Sequence, residues 1–281
     1  MTSHTLAQLF PLNEGSEAPR PSAVFYRGAM KVAAYQAPLL AGGAAEPIRR
    51  IQQSVRECEE RRVSVLCCPE AILGGLADFS NNPGRFAIRT DDGQLASVLA
   101  PLASDEVTSI VGFTELGPRG ALYNAAAVFQ RGQVAGLYRK IHPAIRRSVY
   151  IPGTEIPLFR EGELIFGVVI CNDSNYPDLA RRIAAHGATA LFIPTNNGLP
   201  NGRASLEVNT AARRTDIALA TENRLWVIRA DVAGRTRKLS CFGCSEIVDP
   251  QGNVVQKARL EQAALLVADV EIDGVAASFE H

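Results

Sequence analysis

The stretch GVVICNDSNYP, residues 167–177, places four apolar residues directly before Cys171 and then turns polar at Asn172 and Asp173. Pro177 opens a helix-like pattern, and proline is well tolerated in the first turn of a helix. A turn from strand to helix is where α/β proteins can present a nucleophile. Packing offers a second interpretation, because cysteine is a small residue that is often buried. The rest of the chain has to decide between the two.

Strand and helix patterns alternate on both sides of this stretch. Ile48, Ile51, Val55 and Cys58 recur at spacings of three and four, which is one face of a helix. Alternation and apolar runs predict strands at 31–37, 63–70, 109–116, 125–130, 134–140, 166–173, 190–195, 225–232, 244–249 and 264–272. Further helices are predicted at 176–188 and 205–222. Strands outnumber helices and a hairpin is expected around Arg131-Gly132, which indicates a layered α/β domain with mixed sheets.

The domain is expected to cover residues 30–273. Residues 1–29 contain three prolines and no clear period, so they are predicted to form a flexible N-terminal arm. Residues 274–281 are assigned to a C-terminal tail. We find no repeat and no linker that divides the chain.

Composition excludes several classes of protein. The chain has 281 residues, 47% of them hydrophobic, and its 29 Lys and Arg balance 29 Asp and Glu. No basic patch suggests a nucleic-acid partner, and no apolar run approaches the length of a membrane span. The N-terminus lacks the pattern of a secretory signal, and six cysteines in a chain this long do not resemble a disulfide framework. We therefore expect a cytoplasmic protein with neither nucleic acid nor membrane as partner.

Three reactive side chains end separate predicted strands: Glu70, Lys140 and Cys171. Strand ends are where open α/β sheets collect their sites. A carboxylate can take the proton of a thiol, and the resulting thiolate is the nucleophile. An ammonium can stabilise that thiolate and the charge of a tetrahedral intermediate. Each residue alone also has a structural interpretation, as a capping carboxylate, a solvated hairpin end and a buried thiol, and spacing alone does not bring the three together.

Six motifs, taken in their order along the chain, carry a resemblance. They are CPEAILGG (68–75), YNAAAVF (123–129), YRKIHP (138–143), VVICND (168–173), FGCSEIVDPQGNVV (242–255) and VADVEID (267–273). Together they resemble the nitrilase superfamily of carbon–nitrogen hydrolases over about residues 30–273. The resemblance implies a four-layer αββα sandwich with two mixed β-sheets and a Glu-Lys-Cys triad at Glu70, Lys140 and Cys171. It also implies a homodimer or a higher homo-oligomer.

The implied activity is hydrolysis of a small amide or carbamoyl substrate through a thioester on Cys171. Lys140 and the backbone N–H of Asn172 are then expected to hold the oxyanion. Neither a metal nor an organic cofactor is expected. Two alternatives remain open: a nitrilase or acyl transferase that uses the same triad, and a non-catalytic scaffold that binds a small ligand.

The segment KIHPAIRRSVYIPG departs from the family pattern. Family amidases commonly place a second glutamate there, whereas this chain has Arg146 and Arg147. We consider Glu115 and Glu155 as replacements for that glutamate. Arginine matches carboxylates through two parallel hydrogen bonds, so Arg146 or Arg147 facing the cleft predicts a substrate with an acid group. Solvent exposure of both is the other interpretation.

The sequence departs from the family pattern at three further positions and contains other cysteines and a histidine that could form a site. Leu76 and Asn172 stand where aromatic residues are frequent, and Asp178 replaces a frequent glutamate. Cys241 and Cys244 have the spacing of a zinc or redox pair, but no second pair accompanies them. Adjacent Cys67 and Cys68 are expected on opposite faces of a strand. His142 is considered as a partner of Cys171 and assigned instead to a structural turn.

Overall fold

Two β-sheets and four helices form the part of the chain that this computed structural model describes, residues 25–40, 42–201 and 206–275. Ten strands form the first sheet: β1 (Phe25–Pro38), β2 (Val63–Cys67), β3 (Ile88–Arg89), β4 (Thr108–Leu116), β5 (Leu122–Gln130), β6 (Gln133–Arg139), β10 (Leu199–Pro200), β12 (Val232–Arg235), β13 (Leu239–Cys241) and β16 (Ala264–Val275). Six form the second: β7 (Leu158–Glu161), β8 (Leu164–Val168), β9 (Ala190–Pro194), β11 (Trp226–Ala230), β14 (Glu246–Val248) and β15 (Val254–Lys257). The helices are α1 (Ala45–Glu60), α2 (Gln94–Leu99), α3 (Pro177–Ala185) and α4 (Leu206–Asn223).

Both sheets are mixed, as predicted. In the first sheet β1 runs parallel to β2 and antiparallel to β16. In the second, β9 lies between two parallel neighbours, β8 and β11, and β14 pairs antiparallel with β11. Because β1, β2, β4 and β6 all point the same way, their carboxyl ends lie along one edge of the first sheet.

Residues of the first sheet alternate between two hydrophobic clusters. Val32 and Cys67 face the second sheet, whereas their neighbours Ala33 and Cys68 face the helix layer on the other side. The predicted apolar stripe of α1, from Ile48 to Cys58, is buried in that second cluster. The two adjacent cysteines therefore point to opposite faces, as their position in a strand predicts.

Helices α3 and α4 cover the outer face of the second sheet. Leu179 and Ile183 of α3 and Leu219 of α4 join the cluster that lies between the two sheets and around the second one. Helix α3 approaches β8 closely at Gly167, where a Cβ atom would lie 2.6 Å from Ile183. The order helix, sheet, sheet, helix confirms the four-layer αββα sandwich.

The hairpin predicted around Arg131-Gly132 joins β5 to β6. Both turn residues have positive φ, 48° at Arg131 and 74° at Gly132, which is the geometry of a two-residue turn between strongly twisted strands. This turn sends β6 back toward the edge where Lys140 follows it.

The first strand begins earlier than the sequence predicts. Residues 25–29, assigned above to the arm, belong to β1 and pair with the end of β16. The local sequence pattern of residues 25–29 could not predict this pairing with a distant segment. Likewise β16 continues to Val275, beyond the predicted end of the domain at 273. The remaining parts of the predicted arm and tail, residues 1–24 and 276–281, lie outside the described residues.

The single strand predicted at 225–232 is wrong. Its first part, β11, belongs to the second sheet, and Val232 starts β12 in the first sheet. Asp231 lies at the crossing between them. Short elements with weak periodicity, among them α2 and β7, were also not predicted. The strand predicted at 166–173 corresponds to β8, which ends at Val168. None of the helices in the described ranges is long and apolar enough to cross a membrane.

Candidate active site

The structure places Glu70 and Lys140 in direct contact at the carboxyl edge of the first sheet. Glu70 lies just beyond β2 and Lys140 directly follows β6. The Nζ atom of Lys140 donates a hydrogen bond of 2.6 Å to Oε1 of Glu70, and the two side chains are 3% and 2% exposed. A buried ion pair of this kind needs further partners, because burial removes the hydration of both charges.

Two asparagines that sequence reasoning missed supply those partners. Nδ2 of Asn124 donates to Oε1 of Glu70 over 2.7 Å, and the backbone N–H of Asn196 donates to Oε2 over 3.0 Å. The carboxylate of Glu70 thus accepts three hydrogen bonds, one of them from Lys140. Asn124 is part of the YNAAAVF motif and Asn196 follows β9, so a search for polar residues at strand ends would have found Asn196.

Cys171 begins the turn that leaves β8, and its backbone is held in the left-handed region with φ of 45°. Left-handed backbone is unfavourable for residues other than glycine. Asp173 stabilises the turn by accepting the N–H of Ile170 over 3.1 Å, and Ser174 donates its hydroxyl to the carbonyl of Cys171 over 2.7 Å. The thiol is half-buried and its Sγ lies 3.9 Å from Oδ1 of Asn197. Unlike Cys171, the other five cysteines are buried.

The charges of Glu70 and Lys140 both act on the Cys171 thiol. Burial raises the pKa of Cys171 to about 12, and the negative charge of Glu70 adds to this rise, whereas Lys140, Arg229 and the backbone N–H of Asn196 lower it. Burial lowers the pKa of Lys140, but the charges of Glu70 and Cys171 outweigh it and the pKa is raised. At neutral pH the thiol of Cys171 therefore stays protonated, so attack by sulfur requires a base.

A buried arginine lies behind the cysteine turn. Arg229 of β11 is 2% exposed, and its Nε donates to Oδ2 of Asp216 over 2.7 Å. Its Nη1 donates to Thr195 over 2.8 Å and its Nη2 to the hydroxyl of Ser174 over 3.1 Å. Through Ser174 this cation connects to the carbonyl of Cys171. The sequence signal for this residue is an arginine within an otherwise apolar strand.

His142 has a structural role in the turn after Lys140, as predicted. Its backbone N–H donates to Oδ1 of Asp173 over 2.7 Å, and its Nδ1 lies 3.1 Å from the same atom. The imidazole stacks on Tyr176 with ring centroids 3.5 Å apart. Asp173 also accepts the hydroxyl of Tyr138 over 2.8 Å. Among the residues with described side chains, no hydrogen bond joins His142 to Cys171.

Asn172 is fixed by its side chain. The amide nitrogen donates to the carbonyl of His142 over 3.1 Å, and the amide oxygen accepts from Asn175 over 3.1 Å. This positions the backbone next to Cys171, where the sequence analysis assigns an oxyanion donor.

Neither Arg146 nor Arg147 lines a described cavity. Arg146 and Arg147 are exposed on a turn between β6 and β7, and the two cavities described near the loop that follows Glu70 are lined by other residues. Solvent exposure is therefore the interpretation that the structure favours for this pair.

The two carboxylates considered as replacements for the family's second glutamate lie elsewhere. Arg139 donates to both carboxylate oxygens of buried Glu115 over 2.6 Å, and Thr90 also donates to it. Glu155 is exposed. Glu115 is thus the partner of Arg139 and not a free base.

Cys241 and Cys244 both donate to one carboxylate oxygen. Their sulfur atoms lie 3.7 Å and 3.1 Å from Oδ2 of Asp231, the residue at the crossing between the sheets. The backbone N–H of Asn197 donates to Oδ1 of Asp231 over 3.0 Å. Over the described residues, no three His, Cys, Asp or Glu side chains are grouped as metal ligands would be. The CFGC pair thus supports Asp231, which positions the Asn197 that contacts Cys171.

Comparison with known proteins identifies the family of the chain. The family model described as carbon-nitrogen hydrolase matches residues 31–278. The chain belongs to the carbon-nitrogen hydrolase family. The resemblance of its motifs to the nitrilase superfamily is thereby confirmed, and membership supports hydrolase activity.

Relatives of this carbon-nitrogen hydrolase cover most of its length. The chain is 30% identical over 242 residues to a protein of Pseudomonas protegens named "Hydrolase in pqqF 5'region", with 84% of this chain and 81% of that protein covered. It is 28% identical over 278 residues to the deaminated glutathione amidase of Rattus norvegicus, with 90% and 82% covered. The crystal structure of Saccharomyces cerevisiae Nit3, of the nitrilase superfamily, superposes with a TM-score of 0.75 at 20% identity over 86% of this chain and 90% of that one, and shows the same fold.

Proposed function

We propose that the protein hydrolyses a non-peptide C–N bond of a small amide or carbamoyl compound, with Cys171 as nucleophile, Glu70 as general base and acid, and Lys140 as an electrostatic stabiliser. The observation that carries the proposal is the buried Glu70–Lys140 contact, whose two charges both act on the Cys171 thiol. The name of the rat relative, an amidase, supports an amide as substrate.

The first half of the cycle forms a thioester. Glu70 takes the Sγ proton of Cys171 while the sulfur attacks the carbonyl carbon, and the C=O electron pair moves onto oxygen. Nζ of Lys140 and the backbone N–H of Asn172 stabilise that oxyanion. The protonated Glu70 then donates to the leaving nitrogen, the C–N bond breaks, and ammonia or an amine departs.

The second half restores the enzyme. Glu70 takes a proton from a water molecule as its oxygen attacks the thioester carbon, and the carbon–sulfur bond breaks when the intermediate collapses. The proton on Glu70 returns to the sulfur of Cys171, and the carboxylic acid is released. One water is consumed for each C–N bond cleaved, and no electron transfer takes place.

The raised pKa of Cys171 gives Glu70 a specific task. A thiol with a pKa of about 12 contains very little thiolate at neutral pH. Proton transfer to a carboxylate in the same buried site therefore has to accompany attack. Asn124 and Asn196 fix both oxygens of that carboxylate, which keeps its position constant while its protonation changes.

The experiment is a panel of small amides, N-carbamoyl compounds and nitriles, assayed for ammonia release with wild-type protein, Cys171→Ala and Glu70→Gln. We expect release from amides or carbamoyl compounds with wild type only. Cys58→Ala is the matched control, because it removes a buried thiol from α1 on the other side of the first sheet. Activity that survives in Cys171→Ala, or release from nitriles alone, would contradict the proposal.

Labelling gives a second test. Mild alkylation followed by peptide mass mapping should modify half-buried Cys171 before the five buried cysteines. Preferential labelling of Cys241 or Cys244 with Cys171 inert would remove the assigned nucleophile.

The proposal extends to assembly and compartment. The family resemblance supports a homodimer or a larger homo-oligomer, which sedimentation measurements would test. A cytoplasmic location is supported by the cysteines, since all six are free. Fractionation of cells that express the protein would test the location.

A further inference from the structure

Asn197 places its side-chain amide between Cys171 and a buried carboxylate. Its Oδ1 lies 3.9 Å from Sγ of Cys171, whereas its Nδ2 donates to Oδ2 of Asp231 over 3.1 Å. Nδ2 also lies 3.2 Å from Sγ of Cys244. The backbone N–H of Asn197 donates to the other oxygen of Asp231 over 3.0 Å. One carboxylate therefore holds both the backbone and the side chain of the residue that contacts the thiol of Cys171.

Hydrogen-bond donors surround the fully buried carboxylate of Asp231. Besides Asn197, the backbone N–H groups of Val232 and Cys244 donate to it over 2.8 Å and 3.2 Å, and the thiols of Cys241 and Cys244 add two weaker donors. Burial raises the pKa of Asp231, and these hydrogen bonds oppose the rise. Within the described part of the chain Asp231 forms no ion pair. Neutral donors, rather than a cation in contact, thus stabilise its charge.

An ionised Asp231 decides which way the amide of Asn197 points. A carboxylate accepts hydrogen bonds and donates none, so it binds Nδ2 of the amide and would repel Oδ1. The two ends of the amide are nearly equal in shape, and the charge of Asp231 is what distinguishes them. Because Nδ2 is held by Asp231, Oδ1 faces the sulfur of Cys171.

The end of the amide that faces the sulfur affects the protonation of Cys171. An oxygen accepts the S–H group, and a hydrogen bond to the neutral form of an acid disfavours its charged form. The amide turned by 180° would place an N–H donor there and stabilise the thiolate. Lys140 and Arg229 already favour the thiolate, so Asp231 opposes both cations through Asn197. The thiolate is also the form that oxidants and alkylating agents attack.

We propose that Asp231 is a positioning residue that turns Oδ1 of Asn197 toward Cys171 and so keeps the resting nucleophile protonated. The thiol donates to that oxygen until Glu70 removes its proton, a step in which this inference rests on the proposed function. The two thiols of the CFGC motif then act as neutral hydrogen-bond donors that help to keep Asp231 ionised. A nucleophile held in this way is protected from side reactions while no substrate is bound.

The first test observes the S–H group of Cys171 directly. Its infrared stretching band, taken as the difference between wild type and Cys171→Ala at neutral pH, should have the lowered frequency of a hydrogen-bonded thiol. Asn197→Leu removes the acceptor with little change in size and should move the band to the frequency of a free thiol. Asn201→Leu is the matched control, because Asn201 is an exposed asparagine whose amide donates to the carbonyl of Arg237. A band that is absent in wild type, or unchanged in Asn197→Leu, would overturn the proposal.

The second test reverses the amide. Asp231→Asn presents a donor to Nδ2 of Asn197, so that amide should turn and place Nδ2 beside the sulfur of Cys171. We expect the thiolate fraction of Cys171 at about pH 10 to rise about tenfold, measured as the thiolate absorbance that Cys171→Ala removes in the same background. Iodoacetamide should label Cys171 faster by a similar factor. A variant that only opened the site would be labelled faster without a larger thiolate absorbance.

Exchange of the two side chains should undo this effect. Asp231→Asn combined with Asn197→Asp again pairs a donor with an acceptor and again places an oxygen beside the sulfur. The thiolate fraction should return to the wild-type level or fall below it, because that oxygen is now charged. Glu115→Gln is the control, since Glu115 is a buried carboxylate of β4 whose donors include Arg139 and Thr90.

Three results of the second test contradict the proposal: an unchanged thiolate fraction in folded Asp231→Asn, a rise that persists in the exchanged pair, and an equal rise in Glu115→Gln. Circular dichroism shows whether each variant folds. Because Asn197 is only half-buried, the infrared test of Asn197→Leu decides the matter if Asp231→Asn does not fold.

None of these measurements needs a substrate, which separates the positioning role from the hydrolase. If the S–H band and the thiolate fractions behave as expected while wild type releases no ammonia from any amide, the positioning role stands and the hydrolase proposal fails. If wild type hydrolyses amides but Asn197→Leu leaves the S–H band unchanged, the hydrolase stands and the positioning role is wrong.

Discussion

The guanidinium of Arg229 lies one hydroxyl group away from the backbone of Cys171. Nη2 of Arg229 donates to Oγ of Ser174 over 3.1 Å, and that hydroxyl donates to the carbonyl of Cys171 over 2.7 Å. The strained turn and the charge that lowers the pKa of its thiol are thus parts of one network. Asp216 completes the network by neutralising Arg229.

Removal of that cation should make Cys171 less reactive. Arg229→Met alone would leave the Asp216 charge buried without its partner, so the test pairs Arg229→Met with Asp216→Leu, which replaces the ion pair by apolar groups. Because Arg229 lowers the pKa of Cys171, its loss raises that pKa further above the ordinary value. We expect iodoacetamide to label Cys171 about three- to tenfold more slowly at fixed pH, with kcat reduced to a similar degree.

Circular dichroism and the thermal midpoint show whether this double variant folds. Arg214→Met is a suitable control, since Arg214 is an exposed arginine on the same helix as Asp216. An unchanged labelling rate in the folded double variant would remove Arg229 from the electrostatics of the thiol.

The positive φ of Cys171 predicts an unusual effect of glycine. At φ of 45°, alanine is strained by about 1–3 kcal/mol, whereas glycine adopts this conformation freely at an entropic cost of about 0.5–1 kcal/mol. Cys171→Gly should therefore be more stable than Cys171→Ala by about 1 kcal/mol in urea unfolding. Both variants should be inactive.

The control for this comparison is Cys58, which lies in the last turn of α1. There, helix propensity makes Cys58→Gly less stable than Cys58→Ala by about 1 kcal/mol. The same order at both positions would show that the turn of Cys171 is not strained.

The sequence predicts the three reactive residues because each follows a strand with a clear pattern. Glu70, Lys140 and Cys171 could be named from their own segments, and the order of the motifs indicated the fold. Asp231 and the asparagine it positions, Asn197, could not be found this way. The apolar run 225–232 reads as one strand, and only packing of the two sheets decides that the chain crosses between them at Asp231.

The positions of the charged turns could not be predicted from the sequence either. Arg146 and Arg147 stand near Lys140 in the sequence, yet they lie on an exposed turn. Arg237 and Lys238 are almost 100 residues further along, and pairing of β12 with β1 brings them to the edge where Glu70 lies. Sheet register, which depends on contacts between distant segments, decides which charged turn borders the cavity of about 540 Å³ near the loop that follows Glu70.

Asn124 should act as a positioning residue for Glu70. Its Nδ2 donates to the same Oε1 atom that Lys140 contacts, and its own Oδ1 is buried without a partner among the described residues. Asn124→Leu keeps the size and removes the donor, so we expect kcat to fall about ten- to a hundredfold with little change in KM. Asn124→Asp places a second carboxylate beside Glu70 and should lower kcat further.

The readout that separates positioning from general damage is the split between KM and kcat, together with the thermal midpoint. Thr114→Val changes the residue opposite Asn124 in the sheet and removes a hydroxyl that contacts Tyr150. A loss of kcat in Thr114→Val equal to that in Asn124→Leu would assign the effect to the local packing of β4 and β5.

The buried thiols predict that stability falls in alkaline solution. Burial raises the pKa of Cys58 from its ordinary 9.0 to about 12, with Glu57 adding to the rise and Arg61 opposing it. The unfolded chain therefore loses this proton near pH 9, while the folded protein keeps it until about pH 12. Between these values the folded state binds more protons, so the free energy of unfolding decreases as pH rises, by about 1.4 kcal/mol per pH unit for one thiol. Urea unfolding from pH 8 to 11 should show this decline, and Cys58→Ala should reduce its slope by about one proton. A slope that is identical in the variant would mean that Cys58 titrates normally in the folded protein.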